Sequence, residues 1–350
     1  MTKTLGQKPI RMVKQTPLGL PEGKSVGDAE QRNTVAIGGV FKQETPYIIE
    51  WIEYHKLIGV TRFYLFSNDC DKDNTLNPTV DLLQPYIESN LVKFSVKFMC
   101  DATGFQGRAF TDALSIANSE GIEWLAMVDI DEFIVGETTT KLLPEVLGDY
   151  YEAHNAVGMM WRVFGTSKHE RTPSGSVISN YRYRAVMNSR DNRSRSFKSI
   201  VRAKSCKKFS VHMCSQFDSN YCKEQGMEVL GYGHELIGSC DCTIAPDLSQ
   251  CLSEKTLQQF DNRPKFEHFY MHHYRTKSVE EYLKKKLRGR AATPGKLKDG
   301  GPNEEYNAYY DEKLVVNVKA RLEGLGLAEK DRLTSILLTG EEDGKQKTVQ

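Results

Sequence analysis

Two aspartates separated by a single residue are the feature of this sequence that most directly suggests chemistry. Asp129 and Asp131 end the segment EWLAMVDIDEF, whose apolar run predicts a buried strand over Glu123–Ile130. Residues two apart on an extended strand point to the same side, so we expect both carboxylates at one spot beyond the sheet edge. Two hard oxygen ligands suit Mg²⁺ or Mn²⁺. Phosphate oxygens and water usually complete the coordination shell of these ions. The pair predicts a divalent-cation site; the alternative is a strand end with a capped turn.

A second cluster, FEHFYMHHYRTKSVEEYLKKKLRGR, brings together side chains that bind metals and phosphates. His268, His272 and His273 lie in one short predicted strand, and a neutral imidazole can complete a metal shell. Arg275 and Lys277 follow and can reach phosphate. Any one of these histidines could be a structural residue instead. Their coincidence with the remote aspartate pair favours a ligand role.

The ligand that best fits such a cation is a sugar nucleotide. The metal would neutralise its diphosphate and stabilise the charge that builds on the diphosphate as it leaves the sugar. The segment Trp161–Gly165 (WRVFG) suits the sugar, since aromatic rings stack on sugar faces and arginine binds hydroxyl or phosphate groups. The alternative is a strand that packs its aromatic side chains into the core.

These residues need a sheet to position them, and the chain predicts one. Apolar runs rich in β-branched residues alternate with helical patterns. Strands are predicted at Thr34–Phe41, Thr61–Ser67, LVKFSVKF, Glu123–Ile130 and AVGMMWRVF, and helices from Thr45 to Gly59 and over Val80–Ser89, Gln106–Ser119, Lys141–Tyr151, Ser278–Leu287 and Glu304–Leu322. Such alternation predicts an α/β fold with a doubly wound sheet and ligands at the carboxyl ends of its strands.

Composition excludes several classes of protein. With 47 Lys and Arg against 46 Asp and Glu, the net charge of +1 offers no overall basic field for nucleic acid, so no nucleic-acid partner is expected. The basic segment 284–290 is interpreted as a solvated helix face, with an anionic membrane or polymer contact as the alternative. No apolar run is long enough to span a bilayer, and residues 1–30 lack the apolar centre of a signal peptide. We expect a cytoplasmic protein, peripheral to a membrane at most, or a Golgi-lumen protein if the chain has been trimmed.

The eight cysteines favour reduced thiols in the absence of a signal peptide, with disulfides as the alternative. A zinc site is a weak third interpretation. Cys240 and Cys242 lie close to His234, but no CxxC pair accompanies them.

Several motifs in a fixed order carry a resemblance to a known family. KQETPYIIEWIEYHKLIGVTRFYLFSND, GFQGRAFTDAL, WLAMVDIDEF, WRVFG, FKSIV and HHYRTKS follow one another over about residues 34–290. Together they resemble glycosyltransferase family 92 and its family 2-like relatives. The resemblance implies a GT-A fold, a mostly parallel sheet flanked by helices with a smaller β-containing acceptor-side region. It also implies a UDP-hexose donor such as UDP-galactose, a divalent cation and inversion at the anomeric carbon.

The resemblance also implies roles for individual residues. Asp129 and Asp131 match the metal motif, and His273 matches the histidine of the family's Asn-His-Tyr segment. Gln43 and His272 depart from the pattern, because both stand where asparagine is usual. Residues matched to positions near the nucleotide or the sugar are Lys42, Glu44, Asn68, Asp73, Gln106, Asp112, Trp161, Arg162, Gly165 and Lys198.

The sequence thus predicts an inverting, metal-dependent glycosyltransferase that uses Mn²⁺ or Mg²⁺ to move a galactose-like hexose from a UDP-sugar to a glycan hydroxyl. A base must deprotonate that hydroxyl. Asp218, Glu235 and Asp241 are candidates because they lie where an acceptor is expected. One alternative is a sugar-nucleotide nucleotidyltransferase, although Val40–Glu44 lacks the expected Gly-rich signature. The other is a non-catalytic carbohydrate-binding or scaffold protein.

The division of labour along the chain follows from these assignments. Residues 1–33 are expected to form a flexible arm and residues 340–350 a tail. The nucleotide-sugar-binding half is assigned to residues 34–165, the acceptor-side half with the metal and phosphate segment to 166–290, and a helical region to 291–339.

Overall fold

The computed structural model describes residues 33–69, 78–95, 105–186, 197–226, 231–232, 235–236, 268–289 and 301–340. The described residues from Asn33 onward group into one compact unit. The predicted site residues Asp73 and Asp241 lie outside the described residues, as do Cys70, Cys100 and Cys251. The predicted arm up to residue 32 and the tail beyond residue 340 also lie outside them.

Strands and helices alternate through the first half of the chain, as predicted. The strands are β1 (Val35–Phe41), β2 (Arg62–Ser67), β3 (Val92–Ser95), β4 (Trp124–Met127), β5 (Glu132–Gly136), β6 (Ala156–Val163), β7 (Tyr183–Arg184), β8 (Phe197–Arg202), β9 (Cys206–Phe209), β10 (Cys214–Phe217), β11 (Gly231–Tyr232), β12 (Glu235–Leu236), β13 (Phe269–His273) and β14 (Tyr309–Tyr310). The helices are α1 (Thr45–Leu57), α2 (Pro78–Glu88), α3 (Phe105–Ser119), α4 (Leu143–Tyr151), α5 (Val177–Asn180), α6 (Ser219–Glu224), α7 (Val279–Arg288), α8 (Lys313–Leu322) and α9 (Leu327–Leu337). None of these described helices is both long and apolar enough to cross a membrane.

The main sheet has the strand order β12-β11-β6-β8-β4-β1-β2-β3, and β13 pairs with both β5 and β6. Strands β3, β2, β1 and β4 run parallel, which is the arrangement of a nucleotide-binding half of a doubly wound fold. Strand β8 runs antiparallel to β4 and β6. The predicted α/β class, with a mostly parallel sheet flanked by helices, is confirmed.

Alternate residues of β1 enter two separate cores, one on each face of the sheet. Val35 and Ile37 pack with α1, whereas Ala36 and Val40 pack with α3. This follows from the two-residue period of a strand covered by helices on both faces. At Gly38 an added Cβ would lie 2.5 Å from the sulfur of Met127, so glycine permits this close packing.

Some element boundaries differ from the prediction for identifiable reasons. Helix α1 ends at Leu57, two residues before the predicted end, and Gly59 beyond it has φ +100° as a helix stop requires. The single helix predicted over Glu304–Leu322 is instead a 3-10 turn at Glu304–Asn307, strand β14 and helix α8. The tyrosines of β14 pair with β7, and this tertiary pairing interrupts the helical pattern.

Candidate active site

The candidate site lies at the carboxyl ends of β1 and β4, where the strand order reverses and doubly wound sheets bind ligands. Asp129 and Asp131 occupy the tight turn between β4 and β5, which the Glu132 amide closes by donating to the Asp129 carbonyl at 2.9 Å. The expectation that both project from one extended strand is wrong. Because the chain leaves β4 at Met127 and turns into β5, the two carboxylates meet different partners.

The backbone of this turn is held from two sides. The indole Nε1 of Trp51 on α1 donates to the carbonyls of Asp129 and Glu132 at 3.1 and 2.9 Å. The amide of Tyr274, just after β13, donates to the Asp131 carbonyl at 2.7 Å. The position of the turn is therefore set by a helix and by a strand from a remote part of the chain.

The Asp131 carboxylate is buried, with 3% of the residue exposed, and it is fully partnered. Lys285 from α7 donates to Oδ2, and Nε2 of His273 lies 3.5 Å from Oδ1. Burial alone would raise the pKa of Asp131, but Lys285 and His273 hold it well below its ordinary value. Asp131 is an ionised carboxylate in this environment.

Asp129 shares a lysine with a third carboxylate that directly follows the motif. The ammonium of Lys198 on β8 lies 3.2 Å from Asp129 Oδ2 and 3.5 Å from Glu132 Oε2. Burial disfavours the charge of Lys198, yet the carboxylates outweigh it and the pKa is raised. Lys198 also donates to the Val211 carbonyl at 3.1 Å. The predicted residues Asp129 and Lys198 are thus brought together, and buried Glu132 contacts the same lysine.

A row of rings borders the carboxylates. His273 packs edge-on against Trp161, with ring centroids 4.3 Å apart, and Trp161 in turn contacts His212 at 5.4 Å. Arg162, the next residue along β6, lies instead over the Tyr270 ring at 3.1 Å. Trp161 and His273 therefore share one side of their strands, while Arg162 lies with Tyr270.

The three predicted metal ligands can be compared with the geometry that a cation needs. Two ligand atoms about 2.1 Å from one ion lie about 3.0–3.5 Å apart, and Asp131 Oδ1 and His273 Nε2 are separated by 3.5 Å. No hydrogen-bond partner for the Nδ1 atom of buried His273 is found in the part of the chain that the structure describes. Within the described residues, however, no preformed group of three metal-ligating side chains exists. A cation on Asp131 would have to displace Lys285, and one on Asp129 would have to displace Lys198.

Beside Asp131 lies a cavity of about 550 Å³, called here the basic pocket. Its lining comes from the start of α1, the segment after β13 and helix α7. The residues are Gln43, Glu44, Tyr47, Thr276, Lys277, Glu281, Lys284, Lys285, Leu287 and Arg288. Four cationic side chains against two carboxylates leave the pocket with a positive excess, which suits an anionic ligand.

Lys277 is the most unusual member of the basic pocket. Only 4% of the residue is exposed, and its ammonium lies over the Tyr47 ring, 4.4 Å from the centroid. No carboxylate of the described residues lies within ion-pair distance of it, and burial lowers its pKa. The backbone of Lys277 has φ +54°, a region that non-glycine residues rarely adopt. A buried, unpaired ammonium in a strained conformation indicates a place prepared for a negative charge.

The remaining predicted contacts spread around this centre. Glu44 accepts from Arg288 at 2.8 Å, and Lys42 lies just after β1. Asn68 follows β2 and donates its amide to the Phe41 carbonyl at 2.8 Å. Gln106 and Asp112 lie half-buried on α3. Their contacts with a nucleotide stay predictions.

The predicted bases have other surroundings. Asp218 caps α6 by accepting from the amides of Asn220 and Tyr221, and it pairs with Lys207 at 3.0 Å. These contacts give the Asp218 carboxylate a structural role at the start of α6. Glu235 lies in β12 at the end of the sheet, where only the backbone is described.

Four residues of the site were not found by sequence reasoning. The only sequence feature that pointed to Glu132 was its place directly after the aspartate motif. No sequence feature pointed to His212. The basic segment interpreted as a solvated face divides in two, because Lys285 and Arg288 turn inward to Asp131 and Glu44 while Lys284 stays exposed. A spacing of three residues places Lys285 and Arg288 on one side of a helix, and that was the available signal.

Two of the cysteines expected to be reduced are bonded in the structure. Cys206 and Cys214 form a disulfide across the β9–β10 hairpin, with Cα atoms 5.8 Å apart. Cys222 is free and buried, and it accepts from Asn155. The closed hairpin carries Val211 and His212 against β8.

Comparisons with known proteins agree with the resemblance. The family model described as glycosyltransferase family 92 matches residues 32–233. The beta-1,4-galactosyltransferase galt-1 of Caenorhabditis elegans is 24% identical over 106 residues, which are 30% of this chain and 25% of that protein. A glycosyltransferase family 92 protein of Oryza sativa subsp. japonica is 25% identical over 213 residues, 59% of this chain and 32% of that protein. The chain thus spans about a third or less of these relatives.

Solved structures superpose weakly. The mannosyltransferase PcManGT of Pyrobaculum calidifontis, in complex with GDP-Man and Mn²⁺, has a TM-score of 0.28 and 15% identity, covering 37% of this chain and 35% of that one. The mannose-1-phosphate geranyltransferase of Thermus thermophilus has a TM-score of 0.24 and 13% identity, covering 55% of this chain and 53% of that one.

Proposed function

The chain belongs to glycosyltransferase family 92, and from this premise we propose that it transfers a galactose-like hexose from a UDP-sugar to a glycan hydroxyl, with inversion and with Mn²⁺ or Mg²⁺. The observation that carries the proposal is the contact between the Asp131 carboxylate and Lys285 of the basic pocket. A carboxylate that can hold a cation therefore borders a cavity that can hold a diphosphate.

In this proposal the basic pocket receives the diphosphate. Lys277 is already desolvated and unpaired, so it gains an anionic partner without giving one up. Lys285 exchanges Asp131 for a phosphate oxygen, which frees the carboxylate. Arg288, paired with Glu44 at 2.8 Å, borders the same cavity. The positive side chains stabilise the charge that develops on the departing UDP.

Asp129, Asp131 and His273 would hold the cation, which supplies Lewis-acid stabilisation of the leaving diphosphate. Lys198 keeps its bond to the Val211 carbonyl and its contact with Glu132, whose pKa burial raises well above its ordinary value. Trp161, only 6% exposed and next to His273, offers the sugar an aromatic ring edge beside the carboxylates.

The ion pairs of the aspartates also favour a second candidate, a non-catalytic carbohydrate-binding protein. A lysine can neutralise a carboxylate permanently, and here Lys285 and Lys198 contact both members of the motif. In that case the carboxylates would serve the fold and not a cation. The nucleotidyltransferase alternative gains no support from a described contact.

Thermal unfolding with UDP, with Mn²⁺ and with both separates the two candidates. A transferase should show a larger rise in Tm with both than with either one, and then transfer radiolabelled hexose from a UDP-sugar to a glycan panel. Absence of the joint effect in the wild-type chain, together with absence of transfer, would overturn the proposal. UDP-galactose is the first donor to test, with UDP-glucose and UDP-N-acetylglucosamine as comparisons.

A further inference from the structure

We propose that His212 is the general base that deprotonates the acceptor hydroxyl, an inference that rests on the proposed function. Inverting transfer needs a proton acceptor on the face of the sugar opposite the leaving diphosphate. The candidates offered by the sequence do not supply one among the described side chains, since Asp218 caps α6 and pairs with Lys207. The loop Ser210–Met213, between β9 and β10, supplies an imidazole beside the carboxylates.

The hydrogen bonding of the ring fixes which nitrogen can accept a proton. Nδ1 of His212 lies 3.0 Å from the Phe197 carbonyl. A carbonyl only accepts, so the proton of the neutral ring must lie on Nδ1. Nε2 then carries the lone pair, and among the described residues no side chain or backbone group hydrogen-bonds it. The ring is thus held in the tautomer that a base requires.

The environment also keeps the ring neutral. Burial and the nearby ammonium of Lys198 lower the pKa of His212, and these effects outweigh the hydrogen bond to the Phe197 carbonyl and the Asp129 carboxylate, which raise it. At neutral pH the imidazole is therefore ready to accept a proton.

The ring lies next to Trp161, the aromatic side chain proposed to face the sugar. Contacts run from the basic pocket through Lys285 to Asp131, and from there to His273, Trp161 and His212. His212 is joined to the basic pocket only through this series of contacts, and the Asp129 carboxylate and the Lys198 ammonium lie near its ring. A base at this position requires that the hexose bind beside Trp161 with the acceptor hydroxyl near Nε2.

The loop that bears the ring is fixed at several points. The Ser199 amide donates to the His212 carbonyl at 2.8 Å, and Lys198 donates to the Val211 carbonyl. The disulfide between Cys206 and Cys214 closes the hairpin around the loop. A base must stay within hydrogen-bond reach of its proton, and this anchoring provides the necessary rigidity.

The step balances without any further reagent. The acceptor O–H proton moves to Nε2, the oxygen forms a bond to the anomeric carbon, and the bond from that carbon to the phosphate oxygen breaks. The electron pair leaves with UDP. The imidazolium then returns its proton to solvent.

Two substitutions test the role, because each keeps a different part of the imidazole. His212→Asn retains a donor for the Phe197 carbonyl in the place of Nδ1 but has no lone pair in the place of Nε2. His212→Gln places an amide near the position of Nε2, and an amide is not basic. We expect both to lower kcat for transfer by about 10²- to 10⁴-fold. The donor KM and the Tm rise with UDP and Mn²⁺ should stay within about twofold of the wild type.

The outcomes distinguish this inference from the proposed function. Transfer within fivefold of the wild type in both variants would overturn the base role. Loss of the Tm rise with UDP and Mn²⁺ would also overturn it, because His212 would then serve donor binding. If the wild-type chain itself transfers no hexose to any acceptor, the failure lies with the proposed function and not with the choice of base.

Discussion

Lys285 and Asp131 are 154 residues apart in the chain, yet the ammonium of one contacts the carboxylate of the other. The carboxylate is buried, whereas Lys285 also lines the basic pocket. One lysine thus joins the proposed cation site to the proposed diphosphate site. A ligand that attracts Lys285 into the pocket lowers the cost of placing a metal ion on Asp131.

The first prediction concerns this exchange. Lys285→Met removes the competitor for Asp131, so Mn²⁺ alone should bind about tenfold more tightly, as expected if the ion pair contributes about 1.4 kcal/mol. The same change removes a phosphate contact and should weaken UDP binding at saturating Mn²⁺. Isothermal titration calorimetry with each ligand measures both effects. An unchanged Mn²⁺ affinity would contradict the competition.

The second prediction separates the two aspartates. Asp131→Asn should abolish the joint Tm rise with UDP and Mn²⁺ and lower kcat by about 10²-fold or more, because the buried carboxylate contacts Lys285 of the basic pocket. Asp129→Asn is the matched variant, with a side chain that is 36% exposed and paired to Lys198. It should have the smaller effect on metal binding. Circular dichroism checks that both variants fold, and full activity of Asp131→Asn would contradict the assignment.

The third prediction concerns the unpaired lysine. Lys277→Met removes a buried ammonium that has no described ion-pair partner, so the free energy of unfolding should rise by about 1–2 kcal/mol. At the same time UDP should no longer raise the Tm. Lys141→Met is the control, since this partly exposed side chain pairs with Asp149 at 2.7 Å away from the basic pocket and should change neither quantity greatly. A variant of Lys277 that is destabilised and still binds UDP would refute the interpretation.

The fourth prediction links α1 to the C-terminal helix α9. Arg332 on α9 donates to both carboxylate oxygens of buried Glu53, at 2.9 and 3.0 Å. Burial opposes the charge of Glu53, but bonds from Arg332 and Tyr86 lower its pKa. A lowered pKa stabilises the fold above the unfolded value of about 4.3, and the contribution is lost as the pH falls through the folded value.

Arg332→Met should therefore cost about 2 kcal/mol at pH 7, less than for a fully buried pair because Arg332 is partly exposed. The loss of stability between about pH 5 and 3 should be smaller in the variant than in the wild type. Urea unfolding at several pH values measures both. Parallel curves of unfolding free energy against pH for the two proteins would show that Arg332 does not lower the pKa of Glu53.

The fifth prediction concerns the hairpin of β9 and β10. The Cys206–Cys214 disulfide closes a loop with a sequence separation of eight, and its loss through the paired substitution Cys206→Ser with Cys214→Ser should cost about 2.5 kcal/mol. Because the hairpin holds Val211 against Lys198, kcat should fall as well. Dithiothreitol should reduce the Tm of the wild type toward that of the variant and leave the variant unchanged. A wild-type Tm indifferent to reductant would contradict the bond.

The sequence predicted the parallel half of the sheet well, because β1, β2 and β4 are apolar runs whose neighbours along the chain are helices. It also identified Asp131 and His273, which do come together, and Asp129, which lies in the same turn but pairs with Lys198. It could not predict that the aspartates lie in a turn, since that depends on β5 pairing with β13, more than 130 residues away by number. Lys285 and His212 were not predicted from the sequence for the same reason, because their roles arise from tertiary contacts and not from a local pattern.

Strand β13 lies between β5 and β6, and both neighbours precede it in the chain by more than a hundred positions. A chain synthesised only as far as residue 233, the end of the family match, contains β5 and β6 but not the strand β13 that lies between them. The nascent chain at that point has Asp131 but neither His273 nor Lys285 to surround it. The proposed site can therefore assemble only after β13 and the helix that follows it have been synthesised, and a fragment that ends at the family boundary would leave the β13-facing edges of β5 and β6 without that partner.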